Sequence, residues 1–433
     1  MKCQSFRFLV IFFMIVGCSP AALQVERAIA PGTLTVIQLS DRGAIGQILD
    51  QLSLTEAIAG PSDIVVQEDR VYIASYKLLL IAEENDNGKL RLLSSLPLSG
   101  YDTALALHST ANVVYIVNTE GLQVVDVGDP TQPKQIEHLR LADELAKLNL
   151  PNPLKDPIGT DIGCEDNKLV LTLQGEGESP NPPRAIIPSR AGIAAVFDVA
   201  EPHSPRIERV LDPLAGAAVV EMGLYRHQVF VAGDELVEYQ DFERGPGTAS
   251  GLWLKTVEHP DGQLTPGAVP GDVIDMKFVM GSREDWETGK TEAIIKQYRH
   301  ANPQERREFE RLTPLDQGVV FIATANAVVS LSTSHKWISW RLRNNRTASD
   351  RFGHLYGIDA YGYFGVYVAA GTKGVYGLKW DGEVEFWKRD HLETLPGPAL
   401  DVAVSGDRLY VLCGELGLRN VQHNADLIAD QKK

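Results

Sequence analysis

VYIVNTEGLQVVDVGDPTQP, residues Val114 to Pro133, reads as two short β-rich runs about a turn at Asn118 to Gly121, the second run ending in an Asp-Pro turn. The core of the second run is the pentapeptide Leu122-Gln123-Val124-Val125-Asp126, and it recurs. Similar pentapeptides begin at Leu34 (LTVIQ), Leu78 (LLLIA), Ala194 (AAVFD), Leu236 (LVEYQ), Val328 (VVSLS), Val375 (VYGLK) and Leu418 (LRNVQ). Most spacings are about 44 residues, the period of a propeller blade built from several short strands.

Two apolar runs precede each pentapeptide. They are Asp63-IVVQEDRVYIAS, Ala104-LALHSTANVVYIVN, Asp161-IGCEDNKLVLTL, Glu221-MGLYRHQVFVAG, Asp275-MKFVM with Val319-VFIAT, Asp359-AYGYFGVYVAAG and Asp401-VAVSGDRLYVLCG. Alternating Val, Ile, Leu, Tyr and Phe marks half-buried strands, and Asp, Asn, Gly and Arg between them mark hairpin turns. Asp129-Pro130 and Glu201-Pro202 stop the pentapeptide strand, since proline cannot donate to a ladder, and begin a fourth, outer strand. The expectation is an all-β fold, a seven-bladed β-propeller of four-stranded blades closed by an N-terminal strand. Eight pentapeptides against seven hairpins leave eight blades as the alternative.

The repeats resemble the LVIVD repeats of a β-propeller family found largely among exported bacterial proteins. Leu122 to Asp126 with its Asp-Pro turn carries the resemblance best, followed by Ala194 to Asp198 with DVAEPHSP. The resemblance implies a propeller and an export route. It implies no particular reaction.

Lys2 and Arg7, the apolar run Phe8 to Val16 and the ending Ile15-Val16-Gly17-Cys18 form a targeting segment too short to remain as a bilayer span. The ending resembles the lipobox of bacterial lipoproteins. That resemblance implies a signal peptide over 1–17, a lipid on Cys18 and, with Ser19 beside it, the outer membrane; an ordinary secretory signal is the other reading. Residues 18–32 read as a tether and 33–433 as a single propeller domain. Of the remaining cysteines, Cys164 and Cys413 fall in distant repeats, so two buried free thiols are expected rather than a disulfide. A net charge of −16 argues against nucleic acid as a partner, because neutralising phosphates takes clustered Lys and Arg.

Three insertions interrupt the repeats. Residues 142–159 and 174–192 lengthen connections on one face beside the third repeat. Residues 281–318 split the fifth hairpin on the opposite face, with helical patterns at Thr291-EAIIKQYRHA and Pro303-QERREFERL. The latter reads as a cap packed on its own propeller or, alternatively, as a docking arm for an envelope protein.

A carboxylate opens the first strand of nearly every repeat: Asp63, Asp161, Glu221, Asp275, Asp359 and Asp401, with Asp102 displaced in the second. Asp63, Asp161, Glu221 and Asp401 each lie nine positions before Tyr72, Val170, Phe230 and Tyr410, a spacing that implies equivalent places at the mouth of the central channel. As structural latches they would accept backbone N–H bonds between neighbouring blades. As a binding mouth they would hold a hard cation such as calcium, or form the site of a hydrolase or lyase. No H-E-x-x-H, G-x-S-x-G, C-x-x-C or phosphate loop occurs, so no catalytic residue, metal ligand or cofactor is assigned. His354 could meet Asp359, and Trp337 and Trp340 read as outer-strand packing. The function expected is a non-catalytic, lipid-anchored platform for a protein or ligand in the bacterial envelope.

Overall fold

Strand β1 (Gly32–Leu39) and strand β2 (Ile45–Leu54) open a computed structural model that describes most residues between 32 and 414. Outside the description lie 1–31 and 415–433, the longer internal segments 177–190, 241–247, 255–272, 281–289, 306–317 and 344–351, and shorter connections. The described strands make seven four-stranded antiparallel sheets in a β-propeller arrangement.

The first sheet is β3 (Pro61–Gln67), β4 (Arg70–Ser75), β5 (Leu78–Glu84) and β6 (Leu90–Pro97). The second is β7 (Ala104–Leu107), β8 (Val113–Asn118), β9 (Gly121–Asp126) and β10 (Lys134–Leu139). A short helix, α1 (Leu141–Ala146), precedes the third, made of β11 (Lys155–Glu165), β12 (Lys168–Glu176), β13 (Ala191–Asp198) and β14 (Arg206–Val210). The fourth comprises β15 (Val219–Gly223), β16 (Gln228–Ala232), β17 (Glu235–Gln240) and β18 (Thr248–Leu254). The fifth comprises β19 (Val273–Met280), β20 (Gly318–Thr324), β21 (Ala327–Ser332) and β22 (Trp337–Arg343), and the sixth β23 (Gly357–Tyr361), β24 (Gly365–Ala369), β25 (Val375–Trp380) and β26 (Phe386–Leu392). The seventh joins β27 (Ala399–Ser405) and β28 (Arg408–Cys413) to β1 and β2, in the order β2-β1-β28-β27.

Both N-terminal strands therefore complete the last sheet, and the pentapeptide at Leu34 is its third strand rather than a supernumerary one. The pentapeptide at Leu418 lies outside the described residues. In each sheet a fully buried residue of the second strand pairs with the third strand: Tyr72 with Ile81, Tyr115 with Val124, Val170 with Val196, Phe230 with Glu238, Phe321 with Ser330, Tyr367 with Gly377 and Tyr410 with Val36. All seven partners are the third residue of a pentapeptide once the first repeat is framed from Leu79 instead of Leu78. The corrected frame, Leu79-Leu80-Ile81-Ala82-Glu83, ends in an acid as the second and third repeats do. Where that acid is Asp it holds the turn to the outer strand: Asp126 Oδ1 accepts the Gly128 N–H at 2.8 Å and Asp198 Oδ1 the Ala200 N–H at 2.9 Å.

Apolar side chains from both faces of each sheet pack against its two neighbours. One cluster joins each successive pair, including the seventh and first, where Leu34, Val36 and Leu412 meet Ile64, Ile73 and Leu80. Burying one such side chain stabilises the fold by about 1.5–3 kcal/mol, so these interfaces supply most of the cohesion. The seventh-to-first joint adds a polar clasp. Glu84, 7% exposed, accepts the Tyr410 hydroxyl at 2.6 Å and the Arg408 Nε–H at 2.6 Å, while Arg408 also donates to Gln38 on β1.

The insertions differ in part from their sequence limits. Residues 142–159 contain most of α1, whose Leu141 and Leu145 pack between the second and third sheets, and their last five residues belong to β11. Of residues 174–192, both ends are strand and 177–190 lie outside the description. In 281–318, Lys290, Thr291, Ala293, Ile294 and Gln297 are helical, and Ile294 packs into the cluster between the fourth and fifth sheets, as a cap on its own propeller would. Cys164 and Cys413 are both free; Cys413 is buried, whereas Cys164 is only partly so, which corrects the expectation of two buried thiols. Among the described residues no helix is long and apolar enough to cross a membrane.

The second and third sheets approach closely at Gly159, where a Cβ would overlap the Val117 side chain. Gly159→Ala is expected to destabilise the chain by about 1–3 kcal/mol in denaturant unfolding. The Gly159→Ala, Val117→Ala double variant should lose less than the sum of the two single changes.

Candidate functional site: carboxylates of the innermost strands

The first strand of each sheet is hydrogen-bonded on one side only. Its other side faces the first strand of the next sheet, which is splayed away by the radial arrangement, so its outward N–H groups need an acceptor other than a ladder carbonyl. The six expected carboxylates provide it.

Asp63 accepts the Ile64 N–H at 2.8 Å within β3 and the Leu105 N–H of β7 at 2.6 Å. Asp161 does the same with Ile162 at 2.8 Å and Val220 of β15 at 2.8 Å. Asp275 bridges Met276 at 2.7 Å and Ile358 of β23 at 2.8 Å, and Asp359 bridges Ala360 at 2.8 Å and Val404 of β27 at 2.7 Å. Glu221 reaches the Phe278 N–H of β19 at 2.9 Å. Asp401 accepts Val402 at 2.8 Å and Ile64 of β3 at 3.2 Å. Each carboxylate thus ties its sheet to the next one in the chain, the last tying the seventh to the first. Asp102 lies outside the described residues.

These acids do not share one level, which corrects the inference from their common spacing. Asp63 pairs with Ala74, Asp161 with Thr172, Asp275 with Ala323 and Asp401 with Leu412, each two residues beyond the buried reference position of the second strand. Glu221 and Asp359 pair with the reference residues themselves, Phe230 and Tyr367. Two residues of strand separate the tiers by about 7 Å. Hairpin length explains why counting failed: Glu221 precedes a connection of four residues between Gly223 and Gln228, whereas Asp63 precedes a two-residue turn. A second mark distinguishes the tiers. A register shift immediately precedes each outer-tier acid, between Pro61 and Asp63, Gly159 and Asp161, Val273 and Asp275, and Ala399 and Asp401, but neither Glu221 nor Asp359. A bulge re-aims the following side chain, here onto the neighbouring strand.

Sequence reasoning missed Lys277. It pairs with Phe321 and so belongs to the inner tier, on the sheet between those of Glu221 and Asp359. Its ammonium lies 3.2 Å from Asp359 Oδ1. The negative charge of Asp359, then that of Glu221, raises the Lys277 pKa above the usual lysine range, against the opposing effect of burial. Burial raises the Glu221 pKa, and Lys277 restrains that rise. Asp275 and Asp401 of the outer tier have no such cation among the described residues. Burial pushes Asp275 well above the ordinary carboxyl range, helped by the charges of Asp161 and Asp63; burial does the same to Asp401, helped by Asp63 and Asp275. Mutual repulsion between acids on different sheets places these groups around a common space.

His354 packs edge-on against Tyr356, ring centroids 4.8 Å apart, and Trp337 and Trp340 lie on the outermost strand β22. Among the described residues no group of three or more His, Cys, Asp or Glu is placed to hold a metal ion.

The repeat itself now has an identity. Residues 111–139 match the LVIVD repeat. That stretch spans β8, β9 and β10, the three outer strands of the second sheet, with the Asp126 turn between the last two. The LVIVD frame thus covers a blade's periphery and leaves out the innermost strand, where the carboxylates sit. No curated protein matches the chain.

Asp161→Asn can still accept one backbone N–H but not both, and should cost about 1–3 kcal/mol in denaturant unfolding. Lys277→Met leaves Glu221 and Asp359 without their cation. Because Lys277 keeps 39% side-chain exposure, the expected loss at neutral pH is about 1–3 kcal/mol, below that of a fully buried pair. The variant's deficit should shrink toward pH 4.5, where Glu221, its pKa already raised by burial, can take up a proton, and unfolding curves at both pH values check this.

Proposed function

We propose that the chain is a non-catalytic, seven-bladed β-propeller that serves as a binding platform for another protein in the bacterial envelope, held to the outer membrane by a lipid on Cys18. The observation that carries this reading is the engagement of all six inner-strand carboxylates with backbone N–H groups of the next blade. Groups so occupied act as latches, and their recurrence around the ring suits a structural duty better than a reaction centre, which needs a few groups in one place. Seven sheets, with six of the seven joints tied through inner strands, support seven blades. A repeat protein of this kind offers broad faces whose loops vary independently of the core, as interaction platforms do.

The anchor and the platform have separate tests. Cys18→Ser should move the protein from the membrane fraction to the soluble fraction of the envelope; an unchanged distribution would remove the anchor. Crosslinking in the native membrane should capture a protein partner, and deleting 281–318 should abolish that adduct if this segment is the docking arm. A full-length chain that yields no protein adduct would count against the platform.

A further inference from the structure

The latches alternate in depth around the ring until the alternation fails. From the third sheet onward the bonds run outer tier (Asp161), inner tier (Glu221), outer (Asp275), inner (Asp359) and outer (Asp401), and the next latch, Asp63 of the first sheet, is again outer. Six latches are described, the second sheet's Asp102 lying outside the described residues, and among them two like tiers are neighbours once. They meet at the joint between β27 and β3.

The consequence falls on one N–H group. At the other outer-tier joints the receiving amides, Leu105, Val220 and Ile358, follow Ala104, Val219 and Gly357, and each has a single carboxylate. The Ile64 amide follows Asp63 and receives two: Asp63 Oδ1 at 2.8 Å and Asp401 Oδ2 at 3.2 Å. The 3.2 Å bond is the longest of the six ties between sheets, the others running from 2.6 to 2.9 Å. Two ionised carboxylates cannot share one donor at close range without repulsion, whereas a protonated carboxyl can donate to its neighbour and leave a weaker, longer acceptor behind.

We propose that Asp63 and Asp401 hold one proton between them at the joint that closes the ring, and that releasing it to water loosens this joint before the others. Asp401 is the partner that carries the proton, donating it to Asp63. The surroundings agree: burial and the charges of Asp63 and Asp275 hold the Asp401 pKa well above the ordinary range. From β23 comes Asp359, already engaged by Lys277 and the Val404 N–H; from β28 come Arg408 and Tyr410, both bonded to Glu84. Neighbouring β4 and β24 carry Arg70, Tyr72 and Tyr367, and β7 carries no charged residue. An acid whose folded pKa is raised adds stability fully present below its unfolded pKa of about 3.9, and that stability is lost as pH rises through the higher folded value.

Hydrogen exchange of the full chain between pH 5 and pH 9 tests this, expressed as protection relative to intrinsic exchange so that the direct effect of pH on rate is removed. Protection of the segment 61–67 should fall at least tenfold with rising pH, while the segments containing Val220 and Val404 change less than threefold. Asp401→Asn, which has no proton to release, should keep the low-pH protection throughout; if it fails to fold, Asp63→Asn replaces it. A protonated-carboxyl infrared band should also be present in the native chain at pH 7 and weaken in the substituted one. A flat profile for 61–67, an equal fall in the Asn variant, or a uniform fall at all three joints would overturn the proposal.

Discussion

An innermost strand with one unpaired edge is the constraint on which this structure depends. In a flat sheet that edge would face solvent or another strand. Here it faces a strand that diverges from it, close enough for a side chain to bridge and too far for a ladder. A short carboxylate meets the need because it carries two oxygens, one for its own strand and one for the next. The apolar faces would hold adjacent sheets together without it, but greasy contact is non-directional. The carboxylates fix how far one inner strand stands along its neighbour.

Much of this was legible in the residues. The pentapeptide repeat located the third strand of every described sheet, and the paired apolar runs located the first two. Hydrophobic alternation survives in strands buried on both faces because the turns between them still announce their ends. The carboxylates were legible too, since an acid beside Ile, Met or Val at the head of a strand stands out. Their depth was not. Depth depends on hairpin length and on a bulge one residue before the acid, and neither alters which residue types appear. Glu221 and Asp63 share the same count to an aromatic residue yet occupy different tiers. Lys277 escaped notice for a related reason: one lysine in an alternating strand reads as a solvent-facing residue until the register sets it between two acids.

The matched LVIVD repeat and the inner strands divide the labour of a blade. Residues 111–139 contain the outer three strands, whose pattern is apolar fill and turn chemistry. The first strand carries the polar contacts between blades, and its sequence varies with the tier it serves. The joint between the second and third sheets shows the limiting case, where close approach at Gly159 accompanies β7 and its uncharged Ala104 and Ala106.

The seventh sheet has a consequence for how the chain is made. Strands β1 and β2 are synthesised first, yet β1 finds its partner β28 only after about 350 further residues, a very long loop to close. Until then Ile37, fully buried in the finished molecule against the sixth sheet, stays uncovered, and Leu34 and Val36 have only the first sheet to pack on. Six sheets can assemble in order behind the ribosome or the export machinery, while the opening hairpin waits as an unsatisfied, sticky end. Completion is thus sensed by the fold itself: a chain truncated before β28 leaves that hairpin homeless, however well its other sheets have formed.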